Sequence, residues 1–484
     1  MDDFVLISYF VALSILFIFG CHGFIMLYYH RKYKNVQHKP DPNFKPDYKV
    51  TIQLPLFNEL FVVERLIDSI CEIEYPKDKL EIQVLDDSTD ETVEIAAKKI
   101  EEKKKLGFDI QHIRRENREG FKAGALKEGL KIAKGEFVAI FDADFIPQKD
   151  FLKITLPFFY NEKIGMVQTR WEHLNSDYSI LTKAQALALD GHFVIEQTVR
   201  NKAGFFINFN GTGGVWRKEC ILNAGNWHAD TLTEDLDLSY RAQLNGWNFV
   251  FLKDFTSPAE LPAEINALKS QQFRWTKGAI ETAKKILPQL WKSKVPLRIK
   301  LQGTFHLTNN FIFPFILLAA ILNVPLVFIK NSGAHDLYFA LTSVFVFAFI
   351  SSFMFYLYSQ KDIHPDWRKR IVMFPLFMAG SMGFALNNSR AVFEGLMNRK
   401  SEFVRTPKFK LVGTNNPWLG KKYLNKKIGF AVIVESLLAV YCFFGVVSSL
   451  YFMELAALPF QLLFFIGFSY VSITSIRNAL SKNY

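Results

Sequence analysis

Two carboxylates, Asp142 and Asp144, stand one residue apart directly after the apolar run 137–141. In extended chain, residues two apart project to the same side. The pair therefore suits one hard cation held by carboxylate oxygens together with a diphosphate. A second acidic pair, Asp86 and Asp87, ends another apolar run. Adjacent carboxylates repel one another, so four acids at one sheet edge of a basic protein argue for a metal rather than for solvated strand ends. Thr233, Glu234 and Asp235 open a segment in which Leu236, Leu238, Tyr240, Ala242 and Leu244 mix with polar residues. Acids at a helix start are favoured by the helix dipole; a carboxylate fixed there would also serve as general base to an acceptor hydroxyl. Gln271, Gln272, Phe273, Arg274 and Trp275 fall in the stretch 264–287, whose apolar residues recur at helical spacing. That stretch reads as an amphipathic helix on a membrane face, with Arg274 and Lys277 at lipid headgroups and Trp275 as an interfacial anchor. Such a helix can also roof a site beneath it.

The acids need a scaffold, and between residues 49 and 160 the periodicity alternates between strand and helix, as in a doubly wound, mainly parallel sheet. Strands are expected at 50–54, 81–85, 109–113 and 137–141, with helices at 59–71, 89–105 and 119–133. Ser88 followed three residues later by Glu91 has the spacing of a capping box. In open α/β sheets ligands collect beyond the carboxyl ends of the strands, where Asn58, Glu59, Asp86, Asp87, Asp142 and Asp144 all fall. Neither a GxGxxG fingerprint after the first strand nor a GxxxxGK[ST] loop occurs, which removes the main support for dinucleotide oxidoreductases and P-loop NTPases. Gly211, Gly213 and Gly214 cluster without a strand-then-helix context in the sequence pattern and read equally as a flexible turn or a ligand contact.

The 484 residues are half hydrophobic and 15% aromatic, yet 22% charged. This is too apolar for an ordinary soluble enzyme and too charged for a wholly embedded one. The net charge of +11 favours anionic partners, whether nucleic acid, phosphorylated substrate or lipid headgroups. The four cysteines, Cys21, Cys71, Cys220 and Cys442, have no CxxC spacing, so reduced, cytosol-facing thiols are expected rather than a disulfide framework or zinc site. Residues 4–29 form an almost uncharged run long enough to cross a bilayer, with Asp2 and Asp3 before it and Arg31, Lys32 and Lys34 after. The positive-inside rule sends its far end to the cytoplasm, as an uncleaved anchor. Four more spans are expected at 311–329, 337–358, 428–452 and 455–476. The stretch 371–396 is broken by Gly380, Gly383, Asn387, Asn388, Arg390 and Glu394 and is basic on both flanks, so it reads as interfacial or re-entrant.

The motifs fall in an order that resembles the family 2 glycosyltransferases, and within them the membrane-embedded β-glycan synthases of the cellulose-synthase type. The wording is closest to the cellulose-synthase-like A and C group, which includes glucomannan 4-β-mannosyltransferases. Gln53, Leu54 and Pro55 lead to Asn58 and Glu59; then come Asp86 to Asp90, Arg118 to Leu126 with Lys122, Asp142 to Phe145, and Phe209, Asn210, Gly211 and Thr212. The triplet ending in Asp235 and the Gln271 to Trp275 motif follow, and Phe403 to Lys408 looks like a cytosolic loop of that group. The resemblance is dense over residues 45–290. It implies a GT-A fold, with Asp86 and Asp87 near the nucleotide base, Lys122 near the phosphates, and Asp142 and Asp144 on Mg2+ or Mn2+. It further implies Asp235 as catalytic base, Gln271 and Arg274 at the diphosphate, and Trp275, Glu234, Phe209 and Asn210 at the acceptor.

The expected architecture is thus an α/β GT-A-type, Rossmann-like cytosolic catalytic domain at 45–290. An anchor at 1–34 precedes it, and an α-helical transmembrane region of about five spans in all continues through 291–484, with an interfacial segment at 371–396 and a cytosolic loop at 399–427. The expected function is inverting transfer from GDP-mannose or UDP-glucose to a growing β-1,4-linked glycan, processive and coupled to passage through the membrane. Transfer of a single sugar to a membrane lipid is the alternative, and a non-enzymatic polytopic membrane protein is the rival class, against which the intact acids argue. The partners are a nucleotide-sugar donor, a glycan or lipid acceptor and membrane lipids, with no nucleic acid; the place is a bacterial inner membrane or a eukaryotic Golgi or plasma membrane.

Overall fold

A computed structural model of the chain describes residues 2–45, 47–401, 404–413, 422–423 and 428–480. Phe403 of the 403–408 run, and residues 402, 414–421 and 424–427 of the expected loop, lie outside the described residues. Seven strands form one sheet: β1 (Val50–Leu56), β2 (Leu80–Asp86), β3 (Asp109–Ile113), β4 (Phe137–Ile140), β5 (Ile164–His173), β6 (Gly214–Arg217) and β7 (Asn248–Ala259). Their order is β3-β2-β1-β4-β6-β5-β7. The expected parallel half is present, since β1 pairs parallel with β2 and β4, and β2 with β3. The other half is mixed: β6 runs antiparallel to β4 and β5, while β5 and β7 are parallel.

Burial on both faces explains the near-continuous apolar strands. Val50, Ile52, Leu54 and Leu56 of β1 pack with Val63, Leu66, Ile67 and Ile70 of the helix Val63–Cys71 and with Ala96 and Ile100 of the helix Thr92–Lys105. On the opposite face Val138 and Ile140 of β4 meet Ala123, Leu126 and Leu130 of the helix Phe121–Ile132. Buried polar residues are paired across the register: Thr51 Oγ1 donates to Glu81 Oε2 at 2.6 Å, and Gln53 Nε2 to Gln83 Oε1 at 2.9 Å.

Three local expectations change. The helix after β1 starts at Val63 rather than at residue 59, because Asn58 takes a left-handed φ of 55° and turns the chain across the strand end. The capping box at Ser88 does not form: Ser88 Oγ accepts the Asn58 N–H at 2.8 Å, and the helix begins at Thr92, whose N–H is taken by Asp90 Oδ1 at 3.0 Å. Gly214 opens β6, which leads directly into the helix Lys218–Asn223, so the glycine cluster does sit before a strand and a helix.

Among the described residues, five helices are long and apolar enough to cross a membrane: Asp2–Lys32, Leu297–Asn331, Asp336–Ile363, Phe430–Tyr451 and Leu458–Leu480. A further pair, Trp367–Gly383 and Ala385–Leu396, is bent by 47° at its break. The polar residues of the second member lie against the long helix Ile265–Lys292: Asn387 Nδ2 donates to Lys269 O at 3.1 Å, and Glu394 pairs with Lys277 at 3.5 Å. The same long helix reaches the membrane helix Phe430–Tyr451 through a buried ion pair, Lys269 Nζ to Glu435 at 2.7 Å.

Candidate active site

A cavity of about 210 Å³ opens beyond the carboxyl ends of β1, β2 and β4. Asp142 and Asp144 both line it, as the strand-end reading expected. Each carries a lysine: Asp142 Oδ1 lies 2.6 Å from Lys122 Nζ, and Asp144 Oδ2 lies 2.7 Å from Lys408 Nζ. Lys122 is the second residue of its helix and also donates to Gly211 O at 2.8 Å. Burial pulls the Lys122 ammonium towards neutrality, but Asp142, Glu234 and Asp235 outweigh it, and the net shift is upward. The lysine therefore stays charged where a diphosphate would need neutralising.

Glu234 and Asp235 sit in the first turn of the helix Glu234–Leu244 and face the same cavity. Asp235 Oδ1 accepts the Leu236 N–H at 2.8 Å, which fixes the carboxylate. Burial first, and Glu234 second, push the Asp235 carboxyl up to about 7, against the pull of Lys122. Burial likewise raises Glu234. A carboxyl tuned close to neutral pH in a buried cleft is suited to proton transfer. Gly211 makes this packing feasible: its φ is 81°, and a Cβ there would stand 3.0 Å from Asp235 Oδ2 and 3.3 Å from Lys122 Nζ.

The roof is the helix Ile265–Lys292, begun by Glu264, whose carboxylate accepts the Asn266 and Ala267 N–H groups at 2.8 and 2.6 Å. Gln271, Arg274 and Trp275, three and four positions apart, lie on one face and line the cavity. Gly278 lets this helix press on the start of the acid-bearing one, since a Cβ there would meet Thr233 Cγ2 at 2.6 Å. Burial lowers Arg274 to about 10, opposed by Glu234 and Asp142, and its Nη2 donates to Thr406 Oγ1 at 2.9 Å. Lys277 is buried against Glu394 and Ser401, and Arg274 is turned into the site, so neither lies at lipid headgroups as the amphipathic reading had it.

Two of the expected site residues do not line the cavity. Asp86 is buried and does not line the cavity, with Oδ1 on the Ser88 N–H and Oδ2 on His112, each at 2.9 Å. Its neighbour Asp87 lines the cavity, gripped by Arg115 through Nε at 2.9 Å and Nη2 at 2.5 Å. Phe209 is fully buried edge-on to Trp216 and does not line the cavity; the adjacent Asn210 does. Successive residues of a non-helical run face opposite ways, and only one of the two can look inward.

The structure also adds residues. Arg405, Thr406 and Lys408 form a strap over the cavity, anchored where Glu260 accepts the Phe409 and Leu411 N–H groups at 2.8 and 3.1 Å. Arg405 lies 3.3 Å from Glu59, whose carboxyl burial raises to about 8. Arg118 stacks 3.3 Å over the Phe57 ring beside Asp87. Trp171 and His173, at the end of β5, complete one wall. The 403–408 run was visible only through resemblance, and β5 carries no pattern that sets these two side chains apart.

Among the described residues, His228, Asp230 and Asp237 form a three-ligand cluster with ligand atoms within 4.8 Å of one another. Lys285 Nζ already lies 3.0, 2.9 and 3.0 Å from them, so its ammonium supplies the cation. At Asp142 and Asp144 the donor set is hard carboxylate oxygen lining the cavity, of the kind that suits Mg2+ or Mn2+, and each carboxylate has one oxygen on a lysine, Lys122 or Lys408.

Residues 46–278 match the family model described as "Glycosyltransferase like family 2". Glucomannan 4-beta-mannosyltransferase 1 of Oryza sativa subsp. japonica is 42% identical over 267 residues, 54% of this chain and 51% of that protein. Glucomannan 4-beta-mannosyltransferase 2 of Arabidopsis thaliana is 44% identical over 250 residues, 51% of this chain and 47% of that protein. The chain spans about half the length of the curated relatives it matches. The mannosyltransferase PcManGT of Pyrobaculum calidifontis, solved in complex with GDP-Man and Mn2+, shares the fold with a TM-score of 0.56 at 20% identity, covering 80% of this chain and 100% of that one. The sheet order, the acids at its edge and these matches together identify residues 46–278 as a family 2 glycosyltransferase domain of GT-A fold.

Proposed function

We propose that the protein is an inverting, processive β-1,4-glycan synthase that adds sugars from a nucleotide-sugar donor to a growing chain and passes the product through its own membrane helices. The observation that carries this reading is the meeting of Asp235, Lys122 and Arg274 in one cavity roofed by Trp275. The acceptor hydroxyl attacks the anomeric carbon from the face opposite the diphosphate, and Asp235 accepts its proton. One displacement inverts the centre and gives a β-linked product from an α-linked donor. Lys122 and Arg274 balance the charge of the leaving diphosphate, Asp87 stands by the nucleotide, and Gln271, Glu234 and Asn210 hold donor and acceptor. Asp142 and Asp144 would hold Mg2+ or Mn2+, which when bound supplies further neutralisation of the diphosphate oxygens.

Similarity to glucomannan 4-beta-mannosyltransferases supports mannose as the sugar, with glucose the second candidate. In this reading residues 1–34 anchor the chain, the domain at 45–290 faces the cytosol, and 291–484 embed it. The segment 371–396, within the bent pair Trp367–Gly383 and Ala385–Leu396, is interfacial or re-entrant, and the membrane is a Golgi, plasma or bacterial inner one. Membranes carrying the protein, incubated separately with labelled GDP-mannose and UDP-glucose, should give a polymer from GDP-mannose that endo-β-1,4-mannanase degrades. A single labelled sugar extracted into organic solvent with the lipids would overturn the reading in favour of a lipid acceptor.

The same assay tests two positions. Trp275 lines the cavity, where its indole can hold the apolar face of a sugar ring and still let it slide. Trp275→Ala should abolish polymer formation while donor hydrolysis by water persists, and Trp275→Phe should recover part of the polymer; a pure anchor would lower protein yield with full activity per molecule. Gly211→Ala should cut turnover by about tenfold or more, because the new Cβ displaces Asp235 or Lys122, with the unfolding temperature of the detergent-solubilised protein checking that the fold survives.

A further inference from the structure

Between the helices Ile180–Asp190 and Thr198–Lys202 the chain makes a seven-residue π-helix, Gly191–Gln197. Such insertions widen a helix locally and concentrate at functional sites. This one meets the cavity lining at Trp171, against which Phe193 packs, and at Asn210, and its hydrogen bonds fix how Asn210 is presented. Gln197 Nε2 donates to the backbone carbonyl of Asn208 at 2.7 Å. A carbonyl can only accept, so this contact sets the flip of the Gln197 amide. The same Nε2 lies 2.9 Å from Asn210 Oδ1, which orients the Asn210 carboxamide in turn. Asn210 Nδ2 then faces His192 Nε2 at 3.2 Å. Since the amide nitrogen only donates, His192 must accept at Nε2 and carry its proton on Nδ1, which donates to Glu196 Oε2 at 3.1 Å. Glu196 is held by Arg200 Nε at 3.1 Å, and Arg200 bridges to Gln302 O at 3.2 Å. Gln302 Oε1 accepts from His22 of the first membrane helix at 2.9 Å.

The chain of donors and acceptors leaves one state for Asn210. Among the described residues, one N–H and one carbonyl lone pair of its side chain have no protein partner, and Asn210 lines the cavity. A donor and an acceptor side by side match two neighbouring hydroxyls of a sugar, one giving and one receiving a proton. We propose that His192 and Gln197 are positioning residues that hold the Asn210 carboxamide in the flip that reads a pair of adjacent hydroxyls on the acceptor sugar. This rests on the reading of the cavity as a glycan-acceptor site. Without these two residues the carboxamide can turn over and offer a donor where an acceptor is needed.

The test uses the full chain in membranes, the nucleotide sugar that the wild type consumes, and β-1,4-mannohexaose as acceptor. His192→Leu should raise the acceptor KM about tenfold, the loss expected for one mis-set hydrogen-bonding group, and leave donor hydrolysis without acceptor within about twofold. His192→Gln, whose carbonyl can accept from Asn210 and whose amide can donate to Glu196, should recover most of the loss. Gln197→Met should act as His192→Leu does, which keeps the idea testable if one variant fails to fold. In an Asn210→Ala background, His192→Leu should add little, because the two act through one group. An unchanged KM in His192→Leu and Gln197→Met overturns the proposal. So do effects that add fully to Asn210→Ala, or a parallel loss of donor hydrolysis, either of which marks a merely structural role. Failure of the wild type to elongate any glycan would instead overturn the underlying reading of the reaction, and this inference with it.

Discussion

Asp235→Asn is expected to lower turnover by about 10²-fold or more while the affinity for the nucleotide stays near that of the wild type. The substitution keeps the size of the side chain and an oxygen to accept the Leu236 N–H, now 2.8 Å from Asp235 Oδ1, so the start of the helix should hold. What disappears is the basic carboxylate. Nucleotide binding by calorimetry, set beside single-turnover transfer, separates the two; turnover close to wild type would remove Asp235 from the role of base. The pH profile gives a second signature. Burial and the neighbouring Glu234 raise the carboxyl to about 7. The ionised form needed to accept a proton is therefore depleted as pH falls through that value, and the rate should fall with it and level off above. In Asp235→Asn the residual rate should lack this acid limb.

The second large effect is expected from the carboxylates at the end of β4. Excess EDTA should bring transfer down by about 10²-fold or more, and added Mg2+ or Mn2+ should restore it; Asp142→Ala and Asp144→Ala should lose activity without restoration. Asp144 also holds the strap through Lys408 at 2.7 Å, so its removal has two effects. Lys408→Met breaks only the strap contact and should leave the response to chelator intact. Full activity of the wild type in EDTA would reduce both acids to partners of Lys122 and Lys408.

The contrast between Asp142 and Asp86 marks what the sequence could and could not disclose. Both acids end parallel strands, and both strand ends were legible from apolar runs that stop at charge. Which way a side chain turns after the last ladder bond depends on what waits on each side. Asp142 finds Lys122 in the cavity, whereas Asp86 finds His112 on the neighbouring strand. Phe209 and Asn210 divide in the same way. The roof was legible as a helix able to cover a site, but not what seats it, because that contact is a missing side chain, Gly278, against Thr233. The strap was the hardest to read, since Arg405 and Lys408 meet Glu59 and Asp144 only after the whole sheet has folded between them. β5 to β7 escaped notice because mixed pairing interrupts the alternation of strand and helix on which the first four strands were found.

The buried ion pair between Lys269 and Glu435 joins the roof helix to a membrane helix two turns or less from Gln271 and Trp275. Cutting the chain after residue 290 would remove Glu435 and with it the ion pair that ties this stretch of the roof helix to Phe430–Tyr451. The unit that shapes the site is accordingly larger than the α/β fold that carries the acids: its roof is tied to a helix apolar enough to cross a membrane. Whatever shifts Phe430–Tyr451 should therefore be felt at Gln271 and Trp275, and an assay should hold the detergent or lipid around that helix as constant as temperature or ionic strength.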